Sequence, residues 1–277
     1  MPDDTLTVAL IRDVFAGEDD GERLKQRLRE AAALGSELAV LPELPLNPWS
    51  ATSKTARDED AERPPPDGAR FGRLVEAVTE TGVAVLGGAI VQDQESGRRL
   101  NTALLIDASG RLVGTYSKIH LPQEPGYWET SHYEAGTAAP VPLIVPGTSL
   151  PVGIQICSDI NRPAGAQLLA ARGAEAIIIP RATEAESYPR WRLVFQTVAL
   201  TNGVWVVSVN RPDDPSVPIG GPSVVVDPLG QIVLETEDPV VATTLDRRAV
   251  ASARRSYPGY LSLREPWMPS CTAIERS

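Results

Sequence analysis

The sequence predicts an α/β protein whose helices pack over β-sheets. Three observations indicate this class: short apolar runs of strand length, helical stretches between them, and two similar hairpin-like segments. Most of the apolar runs are continuous rather than alternating, which is typical of strands covered on both faces. Since no linker divides the 277 residues, we expect a single domain over 1–277.

The predicted elements follow one another at short intervals along the chain. The predicted strands are 7–11 (TVALI), 38–41 (LAVL), 83–88, 102–106, 152–156 (VGIQI), 176–180, 204–209, 223–226 and 240–245. The predicted helices are 21–34, 68–81, 163–172 and 188–202. The proline-rich segment 62–68 is predicted to be a surface loop that precedes the second helix.

Two segments in opposite halves of the chain share one pattern. LLIDASGRLVGTY (104–116) and VVVDPLGQIVLET (224–236) each read as a strand, an Asp-x-x-Gly turn and a second strand. Similar hairpins in the two halves predict a pseudo-symmetric pair of sheets. A chance similarity of two turns is the alternative.

The composition excludes several classes of partner. The net charge of −10 disfavours nucleic acid and anionic membrane surfaces, because an acidic chain repels both. The chain starts with acids where a secretory signal carries Lys or Arg, and no apolar run reaches the roughly 20 residues that span a bilayer. We therefore expect a cytoplasmic protein in which Cys157 and Cys271 are free thiols.

The sequence predicts no cofactor and no metal. His120 and His132 are the histidines, and with two cysteines they do not form the pattern of a zinc site. There is no Gly-x-Gly-x-x-Gly segment and no P-loop, so nucleotide binding has no support. Nothing in the sequence resembles a Cys–His protease segment, and His120 is interpreted as a structural hydrogen-bonding residue.

Three chemically reactive side chains follow predicted strands. Glu43 lies in LAVLPELPL, Lys118 in LVGTYSKIHLP and Cys157 in VGIQICSD. Ligands gather at the carboxyl ends of strands in α/β sheets, so an acid, an amine and a thiol at such ends can converge in one pocket. Each has a structural alternative: a small buried residue for the cysteine, a loop acid or helix cap for the glutamate, and a solvated surface amine for the lysine.

Together these residue types support acyl transfer through a thioester. A cysteine attacks as the thiolate, and a neighbouring ammonium lowers the pKa of the thiol. A buried carboxylate can take the thiol proton and return it to a leaving amine. The lysine can also stabilise the developing oxyanion, helped by the backbone N–H that follows the nucleophile.

These motifs, in this order, resemble the nitrilase superfamily of carbon–nitrogen hydrolases. The resemblance continues through PGYWETSHYEAGT (125–137), GAEAIIIP (173–180), ALTNGVWVVSVNR (199–211), GGPSVVVDPLGQIV (220–233) and RRSYPGYLSLR (254–264). It covers nearly the whole chain. It implies a four-layer α-β-β-α sandwich and a homodimer or higher homo-oligomer whose outer helices pack together. It also implies that Cys157 is the nucleophile, Glu43 the general base and Lys118 the cation that stabilises the oxyanion.

The resemblance extends to two further catalytic groups. Glu129 in GYWET matches a glutamate that lies beside the thiol in many members and positions the lysine or the substrate. Glu124 and Glu134 are nearby alternatives for this role. The amide N–H of Ser158 would complete the oxyanion hole.

The family hydrolyses nitriles, amides and N-carbamoyl compounds. Asp159, two residues after Cys157, is similar to the amidase and carbamoylase branches, and KIHLPQEPGYWE and RRSYPGYLSLR resemble the N-carbamoyl amide hydrolases. We therefore predict hydrolysis of a small amide or N-carbamoyl compound through a cysteine thioester, with release of ammonia or an amine. The alternatives are a nitrilase acting on a small nitrile and a non-catalytic binding protein on the same fold.

The chain departs from the family pattern beside the nucleophile. Ser158 stands where many members have Trp, Ala164 stands where they have Glu, and Asn161 occupies a position that is commonly aromatic. Ser158 and Asn161 are therefore candidate substrate-binding residues. Trp49 and Tyr127 are candidates for the pocket wall, and core packing is their alternative.

Two arginines are candidate binders of a substrate carboxylate. Arg162 lies five residues after the nucleophile, and Arg181 follows Pro180 at another predicted strand end. Either guanidinium could hold a carboxylate in a bidentate pair. The alternative is an internal salt bridge to Asp159, Glu184 or Glu186.

Overall fold

Two β-sheets lie face to face, and a pair of helices covers the outer surface of each. The computed structural model describes residues 4–215 and 217–264. Within them the strands are β1 (Thr5–Ile11), β2 (Leu38–Val40), β3 (Ala61–Glu62), β4 (Ala84–Gln92), β5 (Arg99–Ile106), β6 (Leu112–Ser117), β7 (Gln123–Glu124), β8 (Tyr127–Trp128), β9 (Val152–Ile154), β10 (Ala176–Arg181), β11 (Trp205–Asn210), β12 (Ser223–Val226), β13 (Ile232–Thr236) and β14 (Val240–Asp246). The helices are α1 (Gly21–Ala33), α2 (Ala69–Thr81), α3 (Pro163–Ala171), α4 (Tyr188–Asn202) and α5 (Arg247–Ala253).

The larger sheet has seven strands and the smaller sheet has five. The larger sheet runs in the order β14-β1-β2-β4-β5-β6, with β3 paired to β4, and the smaller sheet runs β13-β12-β11-β10-β9. Strands β7 and β8 form a separate two-stranded pair. No helix of the described residues is long and apolar enough to cross a membrane.

Three apolar clusters separate the layers. The central cluster lies between the sheets and joins Val8 of β1 to Ile178 of β10 and Val207 of β11. A second cluster packs α1 and α2 on the larger sheet, and a third packs α3 and α4 on the smaller sheet. The layer order is therefore α-β-β-α. This order confirms the predicted four-layer sandwich.

The two sheets repeat one arrangement of strands. Strands β1, β2 and β4 are parallel neighbours, and β5 and β6 then follow antiparallel. Strands β9, β10 and β11 are likewise parallel, and β12 and β13 follow antiparallel. In each half the two helices fall between the parallel strands along the chain. The prediction of a pseudo-symmetric pair of sheets is confirmed.

The two predicted hairpins have matching turns. Asp107 Oδ1 accepts hydrogen bonds from the backbone N–H groups two and four residues later, and Asp227 Oδ1 does the same. The turns close at Gly110 and Gly230, whose φ angles are +84° and +80°. Such left-handed angles favour glycine because a Cβ would clash with the backbone. The Asp-x-x-Gly pattern therefore encodes both turns locally.

The nine predicted strands and four predicted helices are all present, and the strand at 223–226 and the helix at 188–202 match at both ends, while most others have shifted ends. The strand predicted at 83–88 runs on to Gln92, because it pairs along its length with β5. The strand predicted at 152–156 ends at Ile154, because the chain then turns into a short 3₁₀ helix, Cys157–Asn161. Helix α5 was not predicted from the sequence. The end of the predicted domain, 1–277, lies outside the described residues.

Strand direction brings several strand ends to one edge. Strand β6 points the same way as β2, because two antiparallel steps and one parallel step separate them. The segment that follows β2 also touches the end of β10, where the backbone N–H of Glu43 faces the carbonyl oxygen of Arg181 at 3.5 Å. The ends of β2, β6, β9 and β10 therefore surround one region between the sheets.

Candidate active site

Cys157 occupies a sharp turn at the end of β9. It opens the 3₁₀ helix Cys157–Asn161 with a φ of +48°, a left-handed angle that non-glycine residues rarely adopt. Such a conformation costs about 1–3 kcal/mol and persists where the surrounding structure imposes it. The thiol is almost fully buried, and its Sγ lies 3.9 Å from the carbonyl oxygen of Ala182.

A buried ion cluster of Lys118, Glu43 and Glu129 lies among these strand ends. Lys118 Nζ donates to Glu43 Oε1 at 2.8 Å and to both carboxylate oxygens of Glu129 at 2.7 Å. All three side chains are inaccessible to solvent. Asn101 Nδ2 also donates to Glu43 Oε1 at 2.8 Å. The structure thus brings together the acid, the amine and the second glutamate that the sequence singled out.

The electrostatics of the cluster keep the lysine charged. Burial acts to lower the pKa of Lys118, but Glu129, Glu43 and Cys157 act in the opposite direction, and the pKa lies well above its ordinary value. Burial raises the pKa of Glu129, against the effect of Lys118. The ammonium and its two carboxylates are therefore mutually dependent, because each would be costly to bury without the others.

The same surroundings keep the thiol protonated. Burial raises the pKa of Cys157 well above its ordinary value, and Glu43 and Glu129 raise it further, while Lys118 opposes them. A thiol of this kind needs a base before it can attack. Glu43 has a free position for that task, because its Oε2 is buried and accepts no hydrogen bond within the described residues.

The carboxylate of Asp159 joins the turn of Cys157 to the segment that follows Lys118. Its Oδ1 accepts from the backbone N–H groups of Ile119 and His120, and its Oδ2 accepts from the N–H of Ile156 and the hydroxyl of Tyr116. Asp159 is fully buried. Its two oxygens therefore hold segments from both sheets at fixed positions.

A cavity of about 310 Å³ opens onto the thiol. Its wall is formed by Pro122, Glu124, Tyr127, Cys157, Ser158, Asn161, Thr183, Glu184, Ser187, Arg190, Trp191 and Val194. None of the three side chains of the ion cluster lines the cavity. A volume of this order is at the small end of the range for ligand pockets. The cavity therefore fits a small molecule.

Most of the predicted pocket residues lie in or beside the cavity. Tyr127, Ser158 and Asn161 line it. Trp49 lies behind the wall: its ring meets Tyr127 edge-on, with centroids 5.9 Å apart, and its Nε1 donates to the carbonyl oxygen of Gly126. Trp49 thus supports Tyr127 and does not face the cavity.

The two predictions for Arg181 are both wrong. The side chain is fully buried and does not line the cavity, so it is not placed to hold a substrate carboxylate. It also forms no salt bridge to a described carboxylate. Its guanidinium donates to the hydroxyl groups of Ser208 and Thr183 and to the carbonyl oxygen of Pro222, and these neutral acceptors satisfy it.

For Arg162 the predicted internal salt bridge is wrong, and the binding of a substrate carboxylate stays a prediction. Its side chain is exposed, outside the cavity wall, at the junction between the 3₁₀ helix and α3. Among the described residues it forms no salt bridge to Asp159, Glu184 or Glu186. Asp159 is unavailable because its oxygens are occupied by the contacts described above.

The alternatives weighed for Glu129 lie elsewhere. Glu124 is exposed on the cavity wall, and Glu134 forms a salt bridge to Arg98 at 2.8 Å. Neither contacts Lys118. His120 Nδ1 lies 2.8 Å from Asp159 Oδ1, as expected for a structural hydrogen-bonding residue. Cys271 lies outside the described residues, and those residues contain no group of three or more His, Cys, Asp or Glu arranged to hold a metal.

Sequence reasoning missed several residues of the site. Asn101 binds the candidate base, but it lies inside a strand and carries no motif of its own. Arg211 contacts the segment of Glu43 and directly follows strand β11, so the strand-end rule could have found it. Glu184 and Arg190 line the cavity, yet nothing in the sequence separates them from ordinary surface charges.

Replacing Lys118 with Met should destabilise the protein in a pH-dependent way. Two buried carboxyl groups would lose their cation, at a cost of about 3–5 kcal/mol near neutral pH. Lys118 lowers the pKa of Glu129 against the effect of burial, so this pKa would rise further in the variant, and the folded state would hold a proton that the unfolded state releases. The loss in the free energy of unfolding, relative to the wild type, should therefore be small near the ordinary glutamate pKa of 4.5. It should grow as the pH rises toward neutrality.

Urea denaturation at several pH values measures this effect. Lys25→Met is the control, because Lys25 pairs with Glu76 and Glu80 at the surface, where ion pairs contribute little. A Lys118→Met deficit that is the same at every pH would contradict the placement of two buried carboxylates around the ammonium.

Comparisons with known proteins identify the family of the chain and several relatives. Residues 18–255 match the family model for carbon–nitrogen hydrolases. The chain is 29% identical over 259 residues to the human omega-amidase NIT2, covering 89% of this chain and 90% of that protein. It is 28% identical over 260 residues to hydrolase C26A3.11 of Schizosaccharomyces pombe, covering 89% and 79%.

Solved structures show the same fold. Nit3 of Saccharomyces cerevisiae, a member of branch 10 of the nitrilase superfamily, superposes with a TM-score of 0.78 at 23% identity, covering 93% of this chain and 96% of that one. An amidase from Nesterenkonia sp. superposes with a TM-score of 0.71 at 22% identity, covering 90% and 94%. The chain therefore belongs to the carbon–nitrogen hydrolase family, within the nitrilase superfamily.

Proposed function

We propose that this protein hydrolyses the C–N bond of a small linear amide through a thioester on Cys157. One observation carries the proposal: a buried ammonium, Lys118, is held by Glu43 and Glu129 and interacts electrostatically with Cys157, which forms part of a cavity wall. The names of relatives support the substrate class, since they include omega-amidases and an amidase.

In the acylation step, the Cys157 sulfur attacks the amide carbon. The thiol proton passes to Glu43, whose Oε2 is free to accept it. The oxyanion is stabilised by the positive charge of the Lys118 ammonium and by the N–H of Ser158. Glu43 then returns the proton to the nitrogen, the C–N bond breaks, and ammonia or an amine leaves.

In the deacylation step, water replaces the departed amine. Glu43 takes a proton from the water as its oxygen attacks the thioester carbon, and the same cation stabilises the second oxyanion. The C–S bond breaks, the carboxylic acid leaves, and the proton returns to the sulfur. Glu129 does not exchange protons in this scheme, and instead holds the ammonium in place through two short hydrogen bonds.

Within this reaction, the substrate is proposed to be an amide rather than a ureido compound or a nitrile. The N-carbamoyl prediction rests on sequence motifs alone, and nitrile hydrolysis is the further alternative. A cavity of about 310 Å³ limits the substrate to a small molecule. Ser158 and Asn161 supply polar groups on its wall.

Ammonia release should separate these substrates. Simple linear amides should be hydrolysed faster than ureido acids, carbamoyl amines and nitriles in one panel. Cys157→Ala should release none above the background, while Cys271→Ser should keep the wild-type rate. Turnover of nitriles alone, or equal turnover by the Cys157→Ala variant, would overturn the proposal.

Replacing Glu43 with Gln should separate proton transfer from thiol reactivity. Amide turnover should fall at least about 100-fold, because Gln cannot accept the proton. Glu43 raises the pKa of Cys157, so its loss should move the midpoint of Cys157 alkylation by iodoacetamide to lower pH. Peptide mass spectrometry measures the alkylation at Cys157 against pH.

Glu134→Gln is the matched control, because Glu134 is an exposed acid paired with Arg98. It should change neither the turnover nor the alkylation profile. An unchanged or higher midpoint in Glu43→Gln would show that this carboxylate does not act on the thiol.

We also propose a homodimer that packs through α4. Leu193 and Leu200, seven residues apart on this helix, are 66% and 37% exposed, and Leu229 in the adjacent β12–β13 turn is 48% exposed. Such a row of apolar side chains on one face suits a second copy of the chain.

Light scattering should give about twice the 29.7 kDa of the chain, and Leu193→Glu should give the monomer mass. Val141→Glu, at an exposed position outside α4 and the β12–β13 turn, should leave the dimer intact, and a monomeric wild type would contradict the proposal.

A further inference from the structure

Arg211 is a buried guanidinium that contacts the backbone around Glu43. It directly follows β11 and is 5% exposed. Its NH1 group donates to the carbonyl oxygens of Glu43 and Leu44 at 3.1 and 2.8 Å, and its NH2 group donates to that of Asn47 at 3.2 Å. One rigid fork therefore binds three carbonyl groups of a single short segment.

This contact joins the two sheets of the sandwich. Glu43 follows β2 of the larger sheet, whereas Arg211 and the thiol turn follow strands of the smaller sheet. The carbonyl oxygen of Arg181 adds a second link, since it faces the backbone N–H of Glu43 at 3.5 Å and that of Arg211 at 3.1 Å. The position of the carboxylate relative to the thiol therefore depends on contacts made across the sheets.

The segment of Glu43 needs an external support. Leu44 has a φ of +47°, a left-handed angle that costs a non-glycine residue about 1–3 kcal/mol. The Arg211 fork binds on both sides of this strained residue. The guanidinium carbon of Arg211 also lies over the ring of Trp49, 5.6 Å from the ring centroid. This cation–π contact helps to fix the plane of the guanidinium.

The charge of Arg211 is kept in spite of its burial. Burial lowers the pKa of Arg211 to about 10, against the opposing effect of Glu43. The guanidinium is thus protonated at neutral pH, and its hydrogen bonds to neutral carbonyl groups are charge-assisted. Among the described residues it has no salt-bridge partner within 4 Å.

We propose that Arg211 is a positioning residue for the general base. It touches no reacting atom, and it acts by holding the backbone of Glu43 so that the carboxylate reaches both Lys118 and the thiol. The inference rests on the proposed function of Glu43. A displacement of about 1 Å at a catalytic group can cost about 100-fold in rate, so the clamp should affect turnover more than substrate binding.

The test compares Arg211→Met and Arg211→Lys with Arg12→Lys. Arg12 is the control, because it is also buried and also donates to backbone carbonyl groups, those of Gly221 and Glu237. It differs in forming a salt bridge to Asp213, and it does not contact the Glu43 segment. Arg211→Met should lower kcat about 100-fold with KM changed less than threefold. Arg211→Lys should recover part of the loss, since an ammonium can bind one carbonyl but cannot reproduce the fork. Arg12→Lys should match the wild type.

Crystal structures of the same variants give a readout that does not depend on activity. In Arg211→Lys and Arg211→Met the Glu43 carboxylate should leave its 2.8 Å contact with Lys118, which should be retained in Arg12→Lys. Wild-type kcat in an Arg211→Met protein, or an undisturbed Glu43–Lys118 contact, would overturn the inference. A wild type that hydrolyses no amide would instead contradict the proposed function, and the crystal structures would still decide the role of Arg211.

Discussion

The ammonium of Lys118 is the group on which the site depends. A charge that is inaccessible to water is tolerated when opposite charges surround it, and here Glu43 and Glu129 provide them from two different segments. Neither carboxylate would be stable in this place without the lysine. The three groups therefore fix each other's charge and position, and they set the electrostatic surroundings of the thiol beside them.

This cluster requires accurate placement of segments from two sheets. The lysine and both glutamates belong to segments of the larger sheet or of the loop after it, while the thiol follows a strand of the smaller sheet. Two buried side chains, one negative and one positive, connect these segments of the two sheets. Asp159 accepts backbone N–H groups of the lysine segment, and Arg211 donates to backbone carbonyl groups of the glutamate segment. Left-handed residues at Cys157 and Leu44 show where the backbone is held against its own preference.

The sequence pattern predicted the strands and helices and brought three candidate residues to strand ends, while the four-layer order came from the resemblance to a family. Continuous apolar runs indicate strands that are buried on both faces, and polar residues just after such runs indicate where the strands end. Glu43, Lys118 and Cys157 each follow a strand, so a rule about strand ends made them candidates, and the resemblance to a family then gave their expected roles. The hairpin turns were predictable because Asp107 and Asp227 make only local hydrogen bonds.

The errors concern the directions of side chains. Arg181 also ends a strand, but its guanidinium turns inward to hydroxyl and carbonyl groups, which no pattern of charges in the sequence reveals. Arg162 lies close to the thiol along the chain, yet the 3₁₀ helix directs it to solvent. Asp159 and Arg211 were overlooked as supports because their partners are backbone groups from distant segments, and those partners have no sequence signature.

Titration of Lys118 by NMR, with ¹³C- and ¹⁵N-labelled lysine, tests most directly whether this buried side chain is an ammonium. Lys54, which is exposed, provides an internal reference at the surface, and a Lys118→Arg variant assigns the signal. The account predicts that Lys118 remains an ammonium at pH values above its ordinary pKa of 10.5, with slow exchange of its protons. A Lys118 signal that loses its proton below that value would contradict a buried cation held between two carboxylates.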